Sequence, residues 1–289
     1  MIPVAFEYER AGTLAEAVEL LGRNPEAKLL AGGHSLVPLL KLRLAQPPLL
    51  VDLGPARELS YVRVEGEELA IGAMTRHHDV HTSETVRREC PLLSETAGTV
   101  GDPQVRHRGT IGGSVAHGDA ASDLPVALLA LEATFVVQGA AGRRSVPARE
   151  FFRGFLDTAL EPGEVLAEIR VRRMPADAGC SYLKFTRRAL DWATVGVAVM
   201  GRVEAGQVRT ARIALTNMGP APLRASAAEE RLLGAAANVA ELRAAAAEVA
   251  AGTSPPTDTN GSAEYRRHLA TVLAARALEA ALLPAEPAS

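Results

Sequence analysis

Cysteine is scarce in this sequence: only Cys90 and Cys180 occur among 289 residues, far apart and without CxxC spacing. They cannot supply the four ligands that an iron–sulfur cluster usually takes, so both are expected to be buried reduced thiols. Any iron working with this chain must then sit on another one. Neither sign of charge dominates, with 31 Lys and Arg against 34 Asp and Glu, and there is no long basic run. A nucleic-acid partner would need a concentrated basic face, so that class is set aside. No stretch approaches the apolar length of a bilayer span. The start Met1-Ile2-Pro3-Val4-Ala5-Phe6 has no basic segment before an apolar core, so no signal peptide is predicted and the expected compartment is the cytoplasm. Also missing are GxGxxG and any Gly-Lys-Ser/Thr, which argues against a Rossmann dinucleotide site and a P-loop ATPase.

What is present suits a globular protein of two modest domains or one large one, with 47% hydrophobic and 22% charged residues. Thr13 and Glu16 form a capping box before Leu14, Ala17, Val18 and Leu21, which share one helical face. A short buried strand over 28–31, a helix over 36–44 closed by Pro47 and Pro48, and a strand over 49–53 complete a small α/β unit. From about residue 56 the pattern changes to α+β. Strands are predicted over 61–64, 68–71 and 133–138, and a helix runs through Leu131 with Asp123 as its candidate N-cap. Pro175-Ala176-Asp177-Ala178-Gly179 reads as the domain boundary. Beyond it, strands are predicted over 181–185, 194–203 and 209–216, then alanine-rich helices over 225–236, 239–251 and 262–282.

Two glycine-rich segments carry the chemistry. Ala31-Gly32-Gly33-His34-Ser35 follows a strand and precedes a helix, so consecutive N–H groups can converge on an anion. Gly109-Thr110-Ile111-Gly112-Gly113-Ser114, followed by Ala116-His117-Gly118-Asp119 and Asp123, offers a second such nest. Together the two segments would suit a pyrophosphate; either alone reads as an ordinary tight turn. Three other readings are weaker. Gly33-His34-Ser35 begins like a nucleophile elbow, but Val37 replaces the glycine that the sharp turn needs. His77 and His81 stand at i, i+4 and could start a metal site, although a solvated polar helix start capped by Thr75 is favoured. A scaffold without cofactor is disfavoured by the entropy that so many glycines lose on folding.

The pair Ala31-Gly32-Gly33-His34-Ser35-Leu36-Val37-Pro38 and Gly101-Asp102-Pro103-Gln104-Val105-Arg106-His107-Arg108-Gly109-Thr110-Ile111-Gly112-Gly113-Ser114 resembles the FAD-binding medium subunits of molybdenum hydroxylases, above all those of carbon monoxide dehydrogenases. Aldehyde and xanthine dehydrogenase subunits are the wider kin. The resemblance covers nearly the whole chain, from Ile2-Pro3 through Glu161-Pro162-Gly163-Glu164. It implies an α+β fold: a two-subdomain FAD-binding domain of the vanillyl-alcohol-oxidase type over 1–176 (about 1–55 and 56–176), then a smaller α+β domain over 177–289 with a three-stranded antiparallel sheet and helices.

The resemblance also implies non-covalent FAD. Ala31, Gly32, Gly33, His34, Ser35 and Leu36, with Thr110, Ile111, Gly112, Gly113 and Ser114, would hold its pyrophosphate, and His117 would add a phosphate-side contact. Asp123 would accept from the adenosine portion, while Leu166, Lys184 and Trp192 would lie against the isoalloxazine ring; relatives often carry Tyr or Phe at the Trp192 position. No catalytic residue and no metal ligand is expected here. A molybdenum-cofactor large subunit and a small subunit with [2Fe–2S] clusters are the implied partners, in a dimer of heterotrimers. The rival within this broad fold is a stand-alone oxidase whose flavin is tethered at His34.

Overall fold

The computed structural model describes residues 1–283. The first unit alternates strands and helices: β1 (Glu7–Arg10), α1 (Leu14–Arg23), β2 (Lys28–Leu30), α2 (Leu36–Lys41) and β3 (Leu49–Asp52). Its three strands lie in the order β1-β3-β2, all parallel. Thr13 caps α1 by accepting from the Glu16 N–H, and Glu16 reaches back to the N–H of Gly12 rather than of the cap residue itself. Leu14, Ala17 and Leu21 face the sheet in a small core of their own. The helix predicted over 36–44 stops at Lys41, because Arg43 turns to a φ of 58° and breaks the ladder.

The second unit contains β4 (Val62–Glu65), β5 (Glu68–Gly72), α3 (His77–Thr82), α4 (Glu84–Glu89), α5 (Pro91–Gly98), α6 (Pro103–Arg106), α7 (Ile111–His117) and α8 (Asp123–Ala130). It continues through β6 (Thr134–Gly139), β7 (Gly142–Pro147), α9 (Ala148–Phe151), β8 (Phe152–Gly154), β9 (Asp157–Thr158) and β10 (Val165–Arg172). Five of its strands form a sheet in the order β4-β5-β10-β6-β7, so the last strand in sequence lies at the centre. Proline opens α5 and α6, where a missing N–H costs nothing. Helix α8 is apolar on every side, and every residue of it is buried. It passes through the middle of the largest core, which explains why no amphipathic period marks it.

The third unit has β11 (Ala178–Phe185), β12 (Val195–Glu204), β13 (Gln207–Thr216) and β14 (Leu223–Arg224), then α10 (Ser226–Leu232), α11 (Val239–Ala246) and α12 (Ala263–Leu282). Its antiparallel sheet has four strands, β11-β12-β13-β14, not the three expected. The fourth is a two-residue strand, too short to show a pattern in the sequence. Period-two alternation sends Val195, Val197 and Val199 to the helices and Ala198 and Met200 to the large core around α8. Small residues let α12 lie close on the sheet: a Cβ on Gly179 would stand 1.7 Å from the Ala281 carbonyl oxygen. The helices predicted over 225–236 and 239–251 are shorter than expected, ending at Leu232 and Ala246. Positions 284–289 of the expected C-terminal unit lie outside the described residues. No helix among the described residues is long and apolar enough to cross a membrane.

Candidate functional site

A cavity of about 820 Å³ opens where the three units meet. Its wall includes Ala31 to Leu36, Thr110, Gly112 to Ser114, His117, Asp123, Leu166 and Trp192, which is most of the residues singled out from the sequence. Two are not on that wall. Ile111 is fully buried in the core, and Lys184 stands behind Asp123.

The first glycine segment leaves β2 and enters α2. The N–H groups of Gly32, Gly33, His34, Ser35 and Leu36 meet no acceptor among the described residues, so a run of five donors borders the cavity. Such a run is an anion nest. Gly33 takes a φ of 80°, which a side chain would strain. Gly32 is glycine for a different reason: a Cβ there would come within 2.4 Å of the Arg108 carbonyl oxygen and 2.7 Å of the Gly109 Cα. The two glycine segments therefore touch backbone to backbone.

The second segment does not form the second nest that was expected. Ile111 donates to the Thr75 carbonyl and Gly112 to the Ala73 carbonyl, while Gly113 donates to the Thr110 hydroxyl and Ser114 to the Thr110 carbonyl. Its amides are spent on docking and capping α7. Gly112 is required by packing, since its Cβ would meet Ala73 at 2.4 Å. What this segment gives the cavity is close backbone approach and the hydroxyl-bearing residues Thr110 and Ser114. His117 ends α7, and burial lowers its pKa.

Asp123 is the first residue of α8 and is 7% exposed, with Ser122 at the cap position. It does not cap the helix as expected. Its Oδ1 accepts from the Tyr182 hydroxyl at 2.5 Å and its Oδ2 from the Lys184 ammonium at 3.0 Å. Burial raises the pKa of Asp123, with Lys184 and Tyr182 acting in the opposite direction. Burial and the neighbouring carboxylate push the Tyr182 hydroxyl well above its ordinary value. The ion pair sets Asp123 and Lys184 side by side, two residues that the sequence reading assigned to the adenosine portion and to the ring.

Leu166 lines the cavity from the central strand β10, and Trp192 stands 55% exposed at the rim on the segment joining β11 to β12. That segment is tied down at its far end. The Asn217 amide donates to the Ala193 and Thr194 carbonyls, and the fully buried Arg266 guanidinium donates to Thr194 and to Asp258.

Two parts of the wall had no signal in the sequence, Ser122 and the stretch Leu156 to Thr158, and His77 was read there only as a solvated residue or a metal ligand. The helix containing His77 is not the solvated face that was expected. Its cap position is Arg76, the Thr75 hydroxyl bonds Tyr61 instead, and His77 is 5% exposed. His81 turns to the Ser94 carbonyl, and no group of three or more His, Cys, Asp or Glu suited to a metal exists among the described residues. Cys90 and Cys180 are free thiols, Cys90 buried as expected and Cys180 only half-buried, each pushed up to about 12 chiefly by burial.

Comparison with known proteins agrees with this geometry. A family model described as "FAD binding domain in molybdopterin dehydrogenase" matches residues 4–173, and one described as "CO dehydrogenase flavoprotein C-terminal domain" matches 180–281. The carbon monoxide dehydrogenase medium chain of Hydrogenophaga pseudoflava is 46% identical, covering 97% of this chain and 98% of its own. The glyceraldehyde dehydrogenase medium chain of Sulfolobus acidocaldarius is 37% identical over 96% and 99%. Among solved structures, carbon monoxide dehydrogenase from Hydrogenophaga pseudoflava lacking the Mo-pyranopterin moiety superimposes with a TM-score of 0.95 at 48% identity, covering 97% of this chain and 98% of that one. Quinoline 2-oxidoreductase from Pseudomonas putida 86 gives 0.93 at 35%, with 98% of each chain covered. With a five-donor nest on its cavity and both family domains in order, the chain belongs to the FAD-binding medium subunits of the molybdenum hydroxylase family of oxidoreductases.

Proposed function

We propose that this chain holds one non-covalent FAD in the cavity and serves as the electron outlet of a molybdenum hydroxylase complex. The observation that carries the reading is the run of five unpaired N–H donors from Gly32 to Leu36, on a cavity large enough for a dinucleotide. These amides fit a diphosphate: they are fixed before binding, and their number matches a ligand with many acceptor oxygens. His34, Thr110, Ser114 and His117 border the same space and would complete the polar shell.

When bound, the flavin would supply the conversion between one-electron delivery from [2Fe–2S] clusters of a partner chain and the reduction of an external acceptor. The protein groups orient and tune. Leu166 offers an apolar surface for the ring, and Trp192 at the rim limits what reaches it. The Asp123–Lys184 pair belongs with these ring-side groups, because Lys184 and Trp192 bracket one connecting segment. Tyr182 holds the Asp123 carboxylate in place. No residue is assigned a role in substrate hydroxylation, which belongs to a molybdenum-cofactor large subunit. That relatives are medium chains and complex subunits supports partner subunits, and a dimer of heterotrimers in the cytoplasm is part of the same proposal. The division into 1–176 and 177–289 follows the same reading.

The test is a visible spectrum of the purified chain with added FAD, followed by acid precipitation. Flavin bound at one per chain and released to the supernatant supports the reading. If the chain stays colourless even when co-expressed with its partners, the proposal fails.

A further inference from the structure

His77 is a buried polar side chain that the proposed roles leave unused. Its ring lines the same cavity as the nest, is 5% exposed, and forms no hydrogen bond through either nitrogen among the described residues. Nδ1 is sealed away from solvent. The opposite edge borders the second glycine segment: a Cβ on Gly109 would stand 2.6 Å from Cδ2 and 2.7 Å from Nε2. Gly109 in turn lies against Gly32, so His77, Gly109 and Gly32 form one continuous stack at the junction of the two segments.

Three points argue that this histidine meets a ligand. A buried imidazole without a partner is unfavourable, and an aliphatic side chain would fill the space without that cost. Among the described residues Lys28 is the only lysine or arginine on the cavity wall, so a diphosphate there depends on amides and neutral donors. Finally, the ring is neutral at pH 7, since burial first and nearby His34 second lower its pKa to about 4. A neutral ring protonated on Nε2 leaves only a lone pair sealed at Nδ1 and keeps its one N–H on the edge that borders Gly109.

We infer that His77 is a further FAD-contacting residue, donating a hydrogen bond from its Gly109 edge to the diphosphate. The inference rests on the FAD reading proposed above. The competing account is that His77 is a wedge that only presses Gly109 toward Gly32.

The two accounts predict opposite orders in a substitution series on the full chain. Binding is followed by flavin fluorescence quenching, with ADP and adenosine as displacers and the melting temperature without flavin as a fold check. If His77 is a donor, His77→Leu keeps bulk but weakens FAD and ADP roughly ten- to hundredfold while leaving adenosine unchanged. His77→Asn and His77→Gln, which retain an N–H, recover most of that loss. If His77→Leu does not fold, the ADP-to-adenosine ratio of the two amide variants decides. Full affinity in His77→Leu with loss in His77→Asn, or an equal effect on ADP and adenosine, would overturn the inference. Failure of the unaltered chain to bind FAD, even with its partners, would instead overturn the proposed function and this inference with it.

Discussion

Gly32→Ala probes the contact between the two glycine segments. The added methyl would stand 2.4 Å from the Arg108 carbonyl oxygen, and real Cβ contacts essentially never fall under 3.0 Å. The segments must therefore part by about 0.6 Å or more, against backbone that cannot rotate away. A displacement of that size stretches an amide-to-phosphate hydrogen bond from about 2.9 Å to about 3.5 Å, outside the useful range. If two of the five nest donors are lost at about 1.5 kcal/mol each, the penalty is about 3 kcal/mol, or roughly two orders of magnitude in FAD affinity. Gly33→Ala is the matched control. Its added methyl meets only side chains, Val37 at 3.2 Å and Leu30 at 3.4 Å, although its φ of 80° is unfavourable for alanine. It is expected to lose about tenfold, mostly through backbone strain of about 1–2 kcal/mol. Fluorescence titration of both variants, beside thermal unfolding without flavin, reads affinity and fold separately. Wild-type FAD affinity in Gly32→Ala, or a larger loss in Gly33→Ala, would refute the contact as the determinant of nest geometry.

Further outcomes follow from other parts of the molecule. The gap between 6.5 for an ordinary histidine and about 4 for His77 corresponds to about 3 kcal/mol at 1.36 kcal/mol per pH unit. The unfolded chain binds the proton more readily, so this stability is present at pH 7 and lost as pH falls from 6.5 through 4. Urea unfolding at both ends of that range should show a smaller acid loss in His77→Asn than in the natural chain; equal losses would count against a buried neutral ring. Gly179→Ala forces a methyl onto the Ala281 carbonyl and should cost about 3 kcal/mol by displacing α12, seen as a lowered melting temperature. Thiol titration should label neither Cys90 nor Cys180 appreciably in the native chain and both after unfolding, because burial keeps each thiol protonated. Removing Asp123 as Asp123→Ala strands the Lys184 ammonium in a largely buried position and should destabilise by about 3 kcal/mol. In Asp123→Ala combined with Lys184→Met, much of that loss should return; strict additivity of the two single changes would argue against the pair.

Much of the site was legible in the sequence, for a local reason. The first nest is a contiguous segment between a strand and a helix, and each of those elements carries its own pattern. The α1 cap, the strand over 49–52 and the long α12 are likewise set by neighbours in sequence. The misreadings come from contacts made across the chain. Glycines at 112 and 113 look like a nest until Ala73 and Thr110 take up their neighbourhood's amides. Asp123 looks like a cap until Tyr182 and Lys184, about 60 positions later, claim both its oxygens. His77 looks solvated until the Gly109 segment covers it. Strand β10 escaped notice because it is central and buried over most of its length, so no alternation marks it.

The sheet of the third unit has one side in the core of the C-terminal helices and the other in the core around α8. Tyr182, Ala198, Met200 and Ala214 belong to the second of these, although they follow the boundary at 175–179. The expected boundary would therefore be a division of shape and not of cooperativity. A fragment ending at 176 would lose the apolar wall that closes its largest core, and the remainder would carry that wall bare into solvent. Heating or denaturant should unfold the chain in one transition. A protease that nicks the boundary should leave the two pieces clasped together rather than free.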